Sequence, residues 1–186
     1  AQKLPQDQDE DGFNNSNFLA ELGHQFNEQW RASLQGYFQQ GRSDYDSKFA
    51  ERPYSESENY NVATKVSFQG ETLFSELTLA TNQDQSDDYS VTSHDTFQTK
   101  RQLVNWLVSA PLTDTAILTS GIEWYEDEVG TQSAAYTKSA RDNKAAYVNM
   151  DYQLDPLSVE ASMRLDDNES YGNHATWQFA TGLQVT

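Results

Sequence analysis

The segment Asp7-Gln8-Asp9-Glu10-Asp11-Gly12 is the part of this sequence best equipped to do chemistry. Carboxylates on alternate residues, followed by a glycine turn, can wrap a hard cation as the first half of an EF-hand calcium loop does. The twelfth position of such a loop needs a bidentate Glu, and here it is Phe18, with no helical pattern on either flank. An EF-hand is therefore excluded. Either a calcium-binding loop of another kind or a solvated acidic loop remains. A second acidic group, Asp44 and Asp46 around Tyr45, and further clusters at Asp84, Asp87 and Asp88, at Glu126, Asp127 and Glu128, and at Asp166, Asp167 and Glu169 repeat the theme. Like charges gathered on one side repel unless cations bridge them.

Other chemistry finds no support. The three histidines, His24, His94 and His174, lack ligand spacing, and there is no cysteine for a thiolate or a disulfide. Gly121 and Gly182 read as close packing within strands, not as phosphate loops. No nucleophile elbow is present, and carboxylates on polar loops lack the apolar surroundings that raise one pKa for acid catalysis. No enzyme is expected. A net charge of −17 also argues against nucleic acid as a partner.

The elements that would position these groups are strands. Hydrophobic residues make up only 36%, yet aromatic residues reach 12%, too many for a disordered chain. No run of 18 apolar residues predicts a transmembrane helix, and the polar stretch from Ala1 to Asp11 is no signal peptide. Alternation with period two predicts nine strands near 13–26, 30–42, 58–68, 72–83, 99–109, 115–126, 143–153, 157–166 and 175–185. In the second, Trp30, Ala32, Leu34, Gly36 and Phe38 share one face, and Arg31, Ser33, Gln35 and Tyr37 the other. Such lengths exceed the usual soluble strand of about 5–6 residues and suit a tilted membrane strand of about 9–11.

Three further patterns point to a bilayer. Short connections near 27–29, 69–71, 110–114 and 153–156 alternate with long ones near 43–57, 84–98, 127–142 and 167–174, the layout of outer-membrane barrels. Glu21, Arg31, Lys65, Glu76, Glu123, Asp151, Glu160 and Arg164 all fall on the face opposite the apolar stripe. Phe26, Trp30, Phe68 and Tyr152 lie near short turns, while Phe38, Tyr60, Trp124 and Trp177 lie further along, and Trp106 fits neither group. At about 3.3 Å rise and roughly 40° tilt the groups stand about 25 Å apart, the height of the apolar band between aromatic girdles. The fold expected is all-β: an antiparallel, up-and-down transmembrane β-barrel segment with short periplasmic turns and long extracellular loops. Nine strands is odd where bacterial single-chain barrels are even, so residues 1–186 read as one segment of a larger barrel. A miscounted closed barrel of eight or ten strands is the alternative, and a soluble β-sandwich adhesin or carbohydrate-binding module is the alternative outside the membrane.

Several stretches resemble the cobalamin transporters of the TonB-dependent outer-membrane family. They are Asp9-Glu10-Asp11-Gly12-Phe13 leading to His24-Gln25-Phe26, Gly121-Ile122-Glu123-Trp124, Arg164-Leu165-Asp166-Asp167-Asn168, and His174-Ala175-Thr176-Trp177-Gln178. The resemblance covers essentially the whole chain and about a third of the family's length, without the N-terminal plug. It implies a bacterial outer-membrane location, contact with lipid, cobalamin as the transported ligand, and coupling to the TonB complex through that plug. It also implies calcium, held by aspartates of neighbouring extracellular loops. Asp9 and Asp11 match the first group of ligands, and Tyr45 and Asp46 the Tyr-Asp of the second loop, with Tyr45 a possible ligand contact. Asp7 and Asp44 are weaker metal candidates, and Glu51 is the nearest substitute for a late ligand without a clear counterpart. A siderophore or another nutrient is the alternative cargo for the same architecture.

Overall fold

The computed structural model describes residues 11–47, 52–132 and 134–184. Nine strands follow one another: β1 (Phe13–Gln25), β2 (Trp30–Asp44), β3 (Tyr54–Gln69), β4 (Phe74–Tyr89), β5 (His94–Thr113), β6 (Ala116–Thr131), β7 (Ala140–Leu154), β8 (Leu157–Asn168) and β9 (Gly172–Leu183). They form one sheet in chain order, each strand antiparallel to the next. All nine expected strands are present, in the up-and-down order that the alternation implies.

Register turns the period-two pattern into two chemically distinct faces. One row runs His24, Ala32, Val66, Leu77, Trp106, Ile122, Ala146, Leu165, Ala175 across β1 to β9. The row one residue away runs Gly23, Ser33, Lys65, Thr78, Asn105, Glu123, Ala145, Asp166, His174. Since successive side chains point to opposite sides of a sheet, the first row belongs to an apolar face and the second to a polar one. A slip of one residue in any pair would exchange the faces, so the pattern itself pins the register.

The apolar face has no protein cover. Among the described residues only Ala116 and Ala145 are buried apolar side chains, whereas Ile122 is 56% and Trp177 81% exposed. A soluble sandwich would lay a second sheet about 10 Å from this face, and the nine described strands supply none. An apolar surface of this extent needs a non-aqueous neighbour. Trp106, which suited neither aromatic girdle, donates its indole N–H to Ser75 Oγ at 2.9 Å, so its one polar atom is satisfied in the middle of that face.

The connections depart from expectation. On the long side they span only 45–53, 90–93, 132–139 and 169–171. The carboxylates Asp84, Asp87, Asp88, Asp127, Glu128 and Asp167, expected in the long connections, lie in strands. Beyond the apolar band both faces turn polar, so alternation disappears while pairing continues. Cross-strand rungs hold these extensions: Ser55 with Ser86 at 3.1 Å, Gln98 donating to Gln85 at 2.8 Å, and Thr96 donating to Asp87 at 2.5 Å. On the face shared by Asp87 and Thr96, Arg42 sits 3.8 Å over the Tyr54 ring, Tyr54 stacks on Tyr89, and Tyr89 stacks on His94. Ser90 Oγ then accepts from the backbone N–H of Thr92 and Ser93 and closes a four-residue turn.

Short-side turns are local as well. Asn27 Oδ1 accepts from Gln29 N and Trp30 N, both at 2.9 Å, an Asx turn that starts β2. The connection expected at 110–114 shrinks to 114–115, because β5 continues past an irregularity between Pro111 and Thr113.

Candidate functional site

The expected cation ligands Asp7 and Asp9, and the substitute Glu51, lie outside the described residues. The others meet at one corner of the sheet, where β1 begins and β2 ends. Asp44 N donates to Gly12 O at 2.8 Å, which continues the register so that Asp11 lies toward Tyr45. The Asp44 carboxylate rests on Gly12: a Cβ there would stand 2.5 Å from Asp44 Oδ2, so a larger residue would push that carboxylate aside. Asp44 Oδ1 is already occupied, receiving Arg42 Nε and Nη2 at 3.0 Å each. Tyr45 is 41% exposed and its N–H donates to Pro53 O at 3.2 Å, which pins the start of the loop. Among the described residues no three His, Asp or Glu side chains converge in a metal-holding group.

The polar face carries a connected network across β5 to β8. Arg164 donates to Glu123 Oε1 at 2.6 Å and to both Asp166 oxygens at 3.0 to 3.1 Å. Asn143, only 2% exposed, donates to Asp166 and accepts from Asn168. Tyr147 lies across Gly121 and donates to Asn105 Oδ1 at 3.0 Å. Charge-assisted bonds of this kind are stronger than neutral ones, and they fix the wall where water reaches it.

Toward the long-side end of this face lies a cleft of about 540 Å³ lined by Asn82, Thr99, Arg101, Asp127, Lys138 and Arg141, with Asp84 on one wall. Arg101 grips Asp127 through two bonds, of 2.6 and 2.9 Å. Arg141 reaches the same carboxylate at 3.4 Å and Tyr171 Oη at 3.4 Å. At the lip, Lys138 of the 132–139 connection meets Glu169 of the 169–171 turn at 2.6 Å. Hydrogen bonding to Lys138 holds the Glu169 carboxyl below its ordinary value. Sequence reasoning missed this cleft. Treating 127–142 as loop hid the fact that Asp127 and Arg141 stand opposite each other on β6 and β7, with Arg101 opposite Asp127 on β5. The clue was there: Arg101 shares parity with Thr99, Leu103 and Asn105.

No protein-family model matches the chain. It is 41% identical over 188 residues to a protein of Photobacterium profundum named vitamin B12 transporter BtuB, covering 100% of this chain and 31% of that protein. The vitamin B12 transporter BtuB of Vibrio cholerae is 29% identical over 184 residues, covering 96% and 30% respectively. The chain thus spans about a third of the length of the curated relatives it matches. Among solved structures, the siderophore receptor PirA from Pseudomonas aeruginosa superposes with a TM-score of 0.80 at 15% identity, over 94% of this chain and 31% of that one. The outer membrane transporter YddB from Escherichia coli gives 0.75 at 10% identity, over 90% and 29%. The nine up-and-down strands superpose on part of the barrel wall of these solved structures. The apolar face is the lipid side and the polar face the lumen, which removes the soluble sandwich. The relatives are transporters, not enzymes, and the chain is an outer-membrane protein of bacteria.

Proposed function

We propose that this chain is a stretch of the barrel wall of a TonB-dependent transporter that takes up cobalamin through loops ordered by calcium. The observation that carries the reading is the sequence match over the whole chain to vitamin B12 transporters, at 41% identity, on a sheet whose apolar face lacks cover. Likeness to a siderophore receptor rests on fold alone, so cobalamin is the better-supported cargo.

The wall also needs neighbours. Among the described residues β1 and β9 each pair on one side only, and a backbone donor or acceptor left unpaired costs several kcal/mol, roughly, in hydrocarbon. Pairing with further strands of a closed barrel removes that cost, and a plug within the barrel would link the cargo to the TonB complex. Binding and gating, not covalent chemistry, are then the work of the protein.

For the loops, Asp9, Asp11 and Asp46 are the proposed calcium ligands, with Asp7 and Asp44 as further donors and Tyr45 as a contact for the cargo. Calcium takes 6–8 oxygens, about twice what Asp11, Asp44 and Asp46 could give singly, a shortfall that Asp7 and Asp9, backbone carbonyls and water would fill. Calorimetric titration of the full-length receptor with calcium, then cobalamin, tests this. Asp9→Ala and Asp11→Ala should weaken calcium binding and, through it, cobalamin binding. Unchanged affinities in both variants would remove calcium from the reading, and failure of the parent to bind cobalamin would remove the cargo.

A further inference from the structure

We propose that the lumenal cleft between Arg101, Arg141 and Lys138 binds an oxyanion carried by the transported ligand, a phosphodiester or carboxylate flanked by hydrogen-bond donors. The proposal rests on the transporter reading and adds to it a second station, on the wall below the loops.

Charge is the first argument. The sequence holds 12 Lys and Arg against 29 Asp and Glu, yet four of those cations, Arg101, Lys138 and Arg141 together with Lys100, line one cleft. Arg101 and Arg141 share a single carboxylate, Asp127, and the sharing is unequal. Arg101 takes it in a close two-point grip, while Arg141 is left with two contacts of 3.4 Å. Good N–H···O bonds are about 2.7–3.2 Å long, and a guanidinium offers five N–H donors. Arg141 therefore retains unused donors where it lines the cleft, and its side chain is 43% exposed. Oxyanions match its planar fork.

Shape and position are the second argument. A volume of about 540 Å³ suits a polar group of a small molecule, not a macromolecule. Lys138, tied to Glu169, closes the lip from two connections at once. Asp84 on the facing wall, together with Asn82 and Thr99, disfavours a bare multivalent anion. It favours one bordered by amide or hydroxyl groups, which can donate to that carboxylate.

The test uses the full-length receptor in lipid nanodiscs, with dimethyl phosphate and acetate as probes, followed by titration calorimetry and by ³¹P line broadening. Arg141→Gln should weaken dimethyl phosphate binding about tenfold, equivalent to about 1.4 kcal/mol. Arg141→Lys should recover part of the loss, and raised salt should weaken the parent. Lys144→Gln, on the lipid side, should change nothing. Equal probe affinity in parent and Arg141→Gln overturns the proposal, as does a loss shared by Lys144→Gln. Nanodiscs of phosphatidylglycerol and of phosphatidylcholine separate the sources of phosphate. Competition by the anionic lipid would place the anion on lipid and overturn the proposal, whereas equal probe binding in both supports it. Cobalamin binding, measured in parallel, reports on the transporter reading alone: cobalamin bound with no probe bound leaves that reading and ends this one.

Discussion

Gly121→Ala is the substitution in which the geometry predicts most from least. Gly121 stands on the lumenal face of β6, between Leu107 of β5 and Tyr147 of β7. A Cβ at this position would land on Tyr147 Cζ and Oη and would stand 2.8 Å from the backbone oxygen of Trp106. The tyrosine ring can swing away, but it then gives up its 3.0 Å bond to Asn105. The backbone oxygen can only move with its strand. Loss of the hydroxyl bond costs about 1 kcal/mol, and overpacking against a fixed wall about 1–3 kcal/mol. Replacing glycine in an extended segment returns about 0.4–1 kcal/mol through the unfolded chain. The net expectation is a loss of about 1–3 kcal/mol. Urea unfolding of the receptor in detergent, followed by tryptophan fluorescence and by the mobility shift of unheated barrel in electrophoresis, measures it. A second variant makes the reasoning sharper. Tyr147→Phe alone should cost about 1 kcal/mol, but little when added to Gly121→Ala, because the bond is already gone. A Gly121→Ala protein within about 0.5 kcal/mol of the parent, or strictly additive costs in the double variant, would refute the argument.

Two other expectations can be checked with the same assay. Leu79 faces lipid and Ala80 faces the lumen, so Leu79→Arg should cost about 2–4 kcal/mol while Ala80→Arg should be nearly silent; comparable costs would mean the faces are exchanged. Glu169 is held below its ordinary pKa of 4.5 by Lys138, so its contribution is present above that value and is lost as pH falls through the lower folded-state value. The stability gap between the parent and Glu169→Gln should accordingly be constant near neutrality and close on acidification below 4.5, and a gap that persists at pH 2 would show that the carboxylate is not its source.

How much the sequence disclosed depended on where each residue sits relative to the bilayer. Within the apolar band, one face must repel water and the other must meet it, so Trp30, Ala32, Leu34, Gly36 and Phe38 had to alternate with polar residues and the strand was legible. Gly121 was legible for the same reason: a glycine in a strand marks a close approach, here Tyr147. Outside the band both faces are wet, and Tyr54 to Ser57, Asp84 to Tyr89 and His94 to Gln98 lose any period while remaining paired. These looked like loop, and with them went the correct setting of Asp127 and Arg141. Their placement follows from register across three strands, which local sequence does not encode. Asp44 shows a related limit. Its spacing suggested a cation ligand, but one of its oxygens is committed to Arg42, two residues away on the same face of β2.

The distribution of burial also explains why alternation, and not core packing, is the requirement on this sequence. A soluble domain is held chiefly by apolar side chains removed from water, and here almost none are covered by protein. In lipid the apolar face is already in a favourable solvent, and the strongest constraint passes to the backbone, whose every donor and acceptor must find a partner. Antiparallel neighbours supply those partners along most of each pair, from Phe13 opposite Ser43 to Leu157 opposite Leu183, with an irregularity between Pro111 and Thr113. Side chains then contribute mainly through cross-strand pairs, of roughly 0.2–1 kcal/mol each. Lys65 with Glu76, Arg101 with Asp127 and Arg164 with Glu123 are the lumenal examples. A wall built this way tolerates wide substitution where the face is respected and no close approach, such as that of Tyr147 over Gly121, fills the space. It also leaves lumenal side chains such as Arg101 and Arg141 free of any packing duty, which is the setting of the proposed anion site.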